Sequence, residues 1–224
     1  MSDKMANYVL VHGGNMSVVT WNKLTVGKPV YTKDGTMGGR IWNPVIPVLV
    51  QHNHHVFAPT LLDEHRSTLT DHIGQICTLI SGNDLRDVIL VGHSYGGMVI
   101  TGVADKIADR IRRLVYVDAA VPDPGQSLFD LIASGGCDPL SFAGLEAAPP
   151  FVEKLQYDAV KNNLLPKTYI LCTKSEFALV TRLARQKIAT AKKGWTYLEL
   201  LSSHVPMADL PEAFIPLLLD AAKK

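Results

Sequence analysis

Apolar positions along the chain fall into short, nearly unbroken runs separated by stretches of helical period. NYVLVHG (7–13), HVFAPT (55–60), DVILVGHS (87–94), RLVYVDAA (113–120), TYILCT (168–173) and TYLELL (196–201) are apolar almost throughout. Strands covered on both faces read this way, whereas half-exposed strands alternate. Helical patterns lie between them at about 66–81, 95–110, 176–192 and 211–222. Strand–helix alternation of this kind predicts an α/β fold with a mostly parallel, doubly wound sheet.

Two regions depart from the alternation. Residues 15–41 are rich in glycine and carry an Asp34-Gly35 turn signal, which reads as a hairpin-like excursion. Residues 121–167 separate two strands by far more than a connection needs, which suggests a small lid. No repeat or low-complexity segment divides the 224 residues, a length that suits a single domain over 1–224.

Composition narrows the function classes. With 19% charged residues and a formal net charge of +1, nothing points to nucleic acid or an anionic membrane surface. Cys77, Cys137 and Cys172 are too few and scattered for a disulfide framework. The opening MSDKMANYVLVHGG lacks the apolar core of a signal peptide, and no run is long enough to span a bilayer. The expected setting is a soluble, reducing, cytoplasmic one.

Gly92-His93-Ser94-Tyr95-Gly96 places a serine between glycines where a strong strand meets a helix. On such a tight turn only residues without side chains leave room for the neighbouring strand and helix. The turn exposes the Ser94 hydroxyl at the carboxyl edge of the sheet and aims a helix N-terminus at it. That dipole and the Tyr95 N–H can stabilise an oxyanion. A serine needs a base, and His204, in the loop between the last strand and the last helix, opens at the same edge. His12-Gly13-Gly14 ends the first strand, so the Gly14 N–H is the second oxyanion candidate. His72 and His93 read as structural. Gln51-His52-Asn53-His54-His55 lacks the distant ligands a metal needs and reads as a solvated loop.

These residues resemble the α/β-hydrolase superfamily over nearly the whole chain. They are most similar to the group of plant methylesterases and hydroxynitrile lyases with its bacterial relatives. The elements that carry the resemblance are LVHGG (10–14), IWNPVIPVL (41–49), HVFAPTL (55–61), LVGHSYGGMV (90–99), LVYVDAAVPDPGQS (114–127), TYILCT (168–173) and SSHVPM (202–207). The resemblance implies an α/β-hydrolase fold with the lid inserted after the strand ending at Asp118. It gives Ser94 and His204 the nucleophile and base roles, Gly14 and Tyr95 the oxyanion amides, and no metal or organic cofactor. The acid departs from the pattern, because the position that carries it in the plant group is Ser175 here. Two carboxylates compete for the role. Asp118 ends an apolar strand, where a charge needs a partner such as an imidazolium, and Glu176 stands one residue beyond the expected place.

Hydroxynitrile lyases of the group carry a lysine just after the histidine, and His204-Val205-Pro206-Met207 offers none, which leans toward hydrolysis. A lid with few cations suits a small, mostly uncharged ester, with lyase or carbon–carbon hydrolase chemistry as an alternative. A catalytically silent small-ligand-binding protein on the same fold is the competing class. The excursion at 15–41 springs from the oxyanion loop, so it either lines the pocket or serves as a peripheral or homodimer contact.

Overall fold

The computed structural model describes residues 5–26, 28–141, 145–191 and 193–223. Residue 27 of the excursion, residues 142–144 of the lid segment and residue 192 of the predicted 176–192 helix lie outside the described residues. Six strands, β1 (Asn7–Val11), β2 (His55–Phe57), β3 (Val88–His93), β4 (Ile111–Val117), β5 (Lys167–Cys172) and β6 (Trp195–Leu200), form one sheet in the order β2-β1-β3-β4-β5-β6. Every pairing is parallel.

Ten α-helices accompany them among the described residues. The first five are α1 (Val18–Leu24), α2 (Ile46–Gln51), α3 (Leu69–Gly82), α4 (Gly96–Lys106) and α5 (Leu128–Ser134). The rest are α6 (Pro149–Val152), α7 (Ala159–Asn163), α8 (Ala178–Thr190), α9 (Pro206–Asp209) and α10 (Pro211–Lys223).

The unbroken apolar runs have a direct structural cause. Along β1, Val9 and Val11 pack into one core with α3, α4 and α8, while Tyr8 and Leu10 pack into a second core with α1, α2 and α10. Leu90 and Ile89 of β3, and Tyr116 and Val115 of β4, divide between the two cores in the same way. Successive side chains point to opposite faces, and both faces are covered, so apolar residues occupy most positions of the central strands.

Element ends follow local chemistry. Thr68 caps α3 with a reciprocal capping box to Asp71, which sets its start at Leu69 rather than 66. The second strand stops at Phe57, short of the predicted 60, and Pro59 beyond it has no N–H to give to a ladder. The strand predicted at 113–120 runs instead from Ile111 to Val117.

The excursion differs most from expectation. Asp34-Gly35 does form a turn, with Gly35 at φ 70°, and Arg40 grips the Asp34 carboxylate through both guanidinium nitrogens. The antiparallel pairing, however, amounts to one bridge between Ser17 and Thr36. The residues after it form α1, capped by Ser17 Oγ accepting from Thr20 N–H, with Val18 and Trp21 buried on one face. Burial of Trp21 at helical spacing overrides the hairpin signal of the distant turn. Where it is described, the 121–167 segment contributes α5, α6, α7 and a short 3-10 turn joined by loops.

The sheet order reverses between β1 and β3, because the chain crosses from β1 to β2 at one edge and returns on the other side of β1. At such a switch point the loops leaving the two strands diverge and open a crevice at the carboxyl edge.

Helix α4 packs hard against the segment leaving β4. A Cβ on Gly97 would stand 2.1 Å from the Ala120 carbonyl oxygen, whereas one on Gly74 in α3 meets nothing within 4 Å. Gly97→Ala should therefore cost at least about 2 kcal/mol, and Gly74→Ala should stabilise by up to about 1 kcal/mol. Urea unfolding of the two variants checks the pair; equal effects would contradict the packing described.

Candidate active site

The crevice is built by three loops at the carboxyl edge. Ser94, between β3 and α4, has φ 55°, a left-handed conformation that a serine adopts only when its surroundings impose it. The flanking glycines are what the surroundings require. A Cβ on Gly92 would lie 2.6 Å from Gly96 O, and one on Gly96 would lie 2.9 Å from both Val11 O and His12 O. The loop after β1 approaches the same point, since a Cβ on Gly13 would be 3.4 Å from Ser94 Oγ. Among the described residues, no hydrogen bond uses the N–H of Gly14 or of Tyr95.

Asp118 follows β4 with φ 45° and is fully buried. Its carboxylate is met by three donors. His204 Nδ1–H donates to Oδ2 at 2.7 Å, Cys172 N–H donates to Oδ1 at 3.1 Å, and Ser175 Oγ–H donates to Oδ2. These donors offset the cost of burying the charge. Because Nδ1 of His204 carries the proton, Nε2 presents a lone pair.

Ser94 and His204 line one cavity of about 270 Å³ together with Gly14, Asn15, Met16, Leu24, Leu145 and Phe177, and with Thr20, Lys23 and Glu176. No hydrogen bond joins Ser94 Oγ to His204 among the described residues; such bonds are commonly loose before substrate binds. Glu176, the competing acid, is exposed and makes no hydrogen bond or ion pair among the described residues.

Two contributors escaped the sequence reading. Ser175, at the position of the relatives' acid, supplies a hydroxyl to Asp118 and accepts the Phe177 N–H at 3.0 Å. His93, read only as structural, donates from Nε2 to the backbone carbonyl of His204 at 2.8 Å and so fixes the loop that carries the imidazole. Burial and the neighbouring His204 drive its pKa well below the ordinary histidine value. The neutral ring is what the geometry uses.

His12 and His72 share this character. His12 Nδ1–H donates to Gly13 O at 2.7 Å while its Nε2 accepts the Leu61 N–H at 2.9 Å. His72 Nδ1 accepts the Tyr95 hydroxyl at 2.9 Å, and its Nε2–H faces Leu62 O and Ser67 Oγ. Burial lowers the pKa of both. The 51–55 stretch is corrected in one respect: His54 is not solvated but buried against Tyr8, accepting the Ala6 N–H. Among the described residues no cluster of His, Cys, Asp and Glu could hold a metal ion, and no helix is long and apolar enough to cross a membrane.

A parallel doubly wound sheet with a strained serine turn and a buried aspartate–histidine pair defines the class. The alpha/beta hydrolase family is matched across residues 8–156, and the chain belongs to it. The chain is similar to a carbendazim hydrolyzing esterase from Nocardioides sp. (strain SG-4G), 42% identical over 136 residues, 57% of this chain and 48% of that protein. It is also similar to methylesterase 8 of Arabidopsis thaliana, 30% identical over 102 residues, 41% of this chain and 37% of that one. The matched stretches thus span about half or less of the length of these curated relatives. An extracellular alpha/beta-hydrolase from a Paenibacillus species shares the fold, with a TM-score of 0.72 at 22% identity, covering 98% of this chain and 100% of that one.

The neutral rings around the serine turn make acid a threat to the site. Burial, the largest cause, lowers the His12 pKa from 6.5 to about 4, and a proton on Nε2 would also displace the Leu61 N–H. The unfolded chain binds that proton below about pH 6.5 and the folded chain does not. Folding stability should therefore fall as the pH drops from 6.5 toward 4, by an amount on the order of 3 kcal/mol from this group. An NMR titration of the ring nitrogens tests this directly: His12 should stay neutral with Nδ1 protonated until about pH 4. Titration near 6.5 would contradict it.

Proposed function

We propose that the chain is a serine hydrolase acting on small, mostly apolar carboxylic esters through an acyl-enzyme at Ser94. The observation that carries this reading is the His204–Asp118 pair, buried and hydrogen-bonded at 2.7 Å, with His204 and Ser94 on the wall of one cavity. That a similar protein is named as an esterase supports it.

In the proposed cycle His204 Nε2 takes the Ser94 proton as Oγ attacks the ester carbonyl. Asp118 holds the ring and stabilises its charged form. The Gly14 and Tyr95 N–H groups receive the oxyanion, helped by the N-terminus of α4. His204 then returns the proton to the leaving alcohol, which departs as the Ser94 ester forms. Water, activated by the same Nε2, releases the acid and restores Oγ–H. None of these steps calls on a metal or organic group.

Substrate size follows from the cavity. About 270 Å³ is small for a ligand pocket. Met16, Leu24, Leu145 and Phe177 give it an apolar wall, with Lys23 and Glu176 the charged residues on its lining. Helix α1, the folded part of the excursion, contributes Thr20, Lys23 and Leu24 to the lining. The excursion thereby supports a pocket-lining role over a peripheral one.

A fluorophosphonate should modify Ser94, located by peptide mass spectrometry, and His204→Ala should abolish the adduct. Folded protein that resists labelling would instead favour a catalytically silent ligand-binding protein. Where ester turnover is measurable, Asp118→Asn should lower kcat by about 10³–10⁴-fold while Glu176→Gln leaves it nearly unchanged. The opposite pattern would transfer the acid role to Glu176.

A further inference from the structure

The loop that carries Gly14 is tied down from outside itself. Asn15 stands at φ 46°, and its N–H donates to Glu64 Oε2 at 2.8 Å. Glu64 belongs to the segment between β2 and α3, 49 residues further along the chain, and is half-buried. Beside it lies a second cavity of about 430 Å³, lined by His12, Ser17, Thr36, Thr60, Leu61 and Asp63 among others. Asn15 and Met16 line both this cavity and the one that holds Ser94.

Asn15 and Met16 therefore separate the two cavities, and Gly14 precedes them on the Ser94 side. Both ends of the 14–16 stretch are held by packing and hydrogen bonds: a Cβ on Gly14 would stand 2.6 Å from the Phe151 ring, and Met16 O accepts the Met37 N–H at 2.8 Å. Between those contacts the remaining freedom is the orientation of the Gly14–Asn15 peptide, because Gly14 has no Cβ to restrict its ψ. A charge-assisted hydrogen bond on the next N–H removes that freedom, since it fixes the Gly14–Asn15 peptide and the left-handed turn at Asn15.

The geometry points to Glu64 as a positioning residue for the oxyanion amide: its carboxylate anchors Asn15 N–H and thereby aims the Gly14 N–H at the reacting carbonyl. Glu64 does not touch substrate in this role. Burial raises the Glu64 carboxyl above its ordinary value, while the Asn15 N–H opposes that rise by favouring the ionised form. The inference rests on the reading of Gly14 as an oxyanion donor.

The test uses the full chain with p-nitrophenyl acetate as substrate and a trifluoromethyl ketone as inhibitor. The ketone adds the serine oxygen and forms a hemiketal whose oxyanion needs the same amides. Wild-type protein is first labelled with the fluorophosphonate; a wild type that neither labels nor turns over ester would sink the functional reading itself. Given an active wild type, Glu64→Ala should lower kcat by about tenfold or more, with KM within about twofold. Affinity for the ketone should fall in the same proportion, and Glu64→Gln, which keeps an acceptor at the same reach, should recover part of both. A folded Glu64→Ala with unchanged kcat would overturn the inference. So would a rise in KM alone, or a lower thermal midpoint with ketone affinity intact. Should Glu64→Ala not fold, the comparison passes to Glu64→Asp and Glu64→Gln. The shorter carboxylate withdraws from Asn15, so the aspartate should be the poorer catalyst, and equal kcat in the two would overturn the inference.

Discussion

A carboxylate with no exposure to water is the constraint around which the site is arranged. Asp118 cannot hold a charge there unless donors surround it, and those donors arrive from separate parts of the chain: Cys172 at the end of β5, Ser175 in the loop beyond, and His204 after β6. The sheet order makes this possible, because β4, β5 and β6 lie side by side and release their loops at one edge. The left-handed backbone at Asp118 turns the side chain out of the strand register and toward those loops. Left-handed backbone at that residue and at Ser94 thus falls at two loops that build the candidate site.

Around this hydrogen-bonded pair stand rings that burial keeps neutral. His93 and His12 each use an N–H to hold a backbone carbonyl, at His204 and Gly13 respectively. His72 receives the Tyr95 hydroxyl from the α3 side. Each replaces water as the partner of main-chain or phenolic groups in places that water does not reach. A charged imidazole in any of the three would face a desolvation cost, and at His12 and His72 it would also lose the acceptor that Leu61 N–H and the Tyr95 hydroxyl use. His204 differs from these three in having a carboxylate, Asp118, hydrogen-bonded to its ring.

The strands were legible in the sequence because double burial leaves an unmistakable mark, a run of apolar residues with no polar alternation. The site's main residues were legible for a related reason. Ser94 sits in a turn whose glycines are demanded by backbone contacts, and an aspartate at the end of an apolar strand asks for a partner. What escaped depends on distance. Ser175 meets Asp118 across 57 residues, and His93 meets the His204 carbonyl across 111, and neither residue type signals such a role locally. Helix α1 escaped for a different reason: Asp34-Gly35 is a true turn, but the pairing it suggested is limited to Ser17 and Thr36. Burial of Val18 and Trp21 against the second core decided the rest.

The position of α1 ties shape to chemistry. The residues that would stabilise charge at Gly14 and those that wall the cavity, Met16, Thr20 and Leu24, are consecutive stretches of one loop and the helix it leads into. A rigid body placed directly after a glycine turn would transmit any displacement to the amides beside Ser94. The Ser17 cap, the Ser17–Thr36 bridge and the Asn15–Glu64 bond lie between the two and isolate them. Changes at Thr20 or Lys23, which line the cavity from α1, can then alter what fits it without moving the backbone next to the serine. A hairpin in the same place would have lacked that separation, because its strands would run in continuous register from the oxyanion loop to the tip.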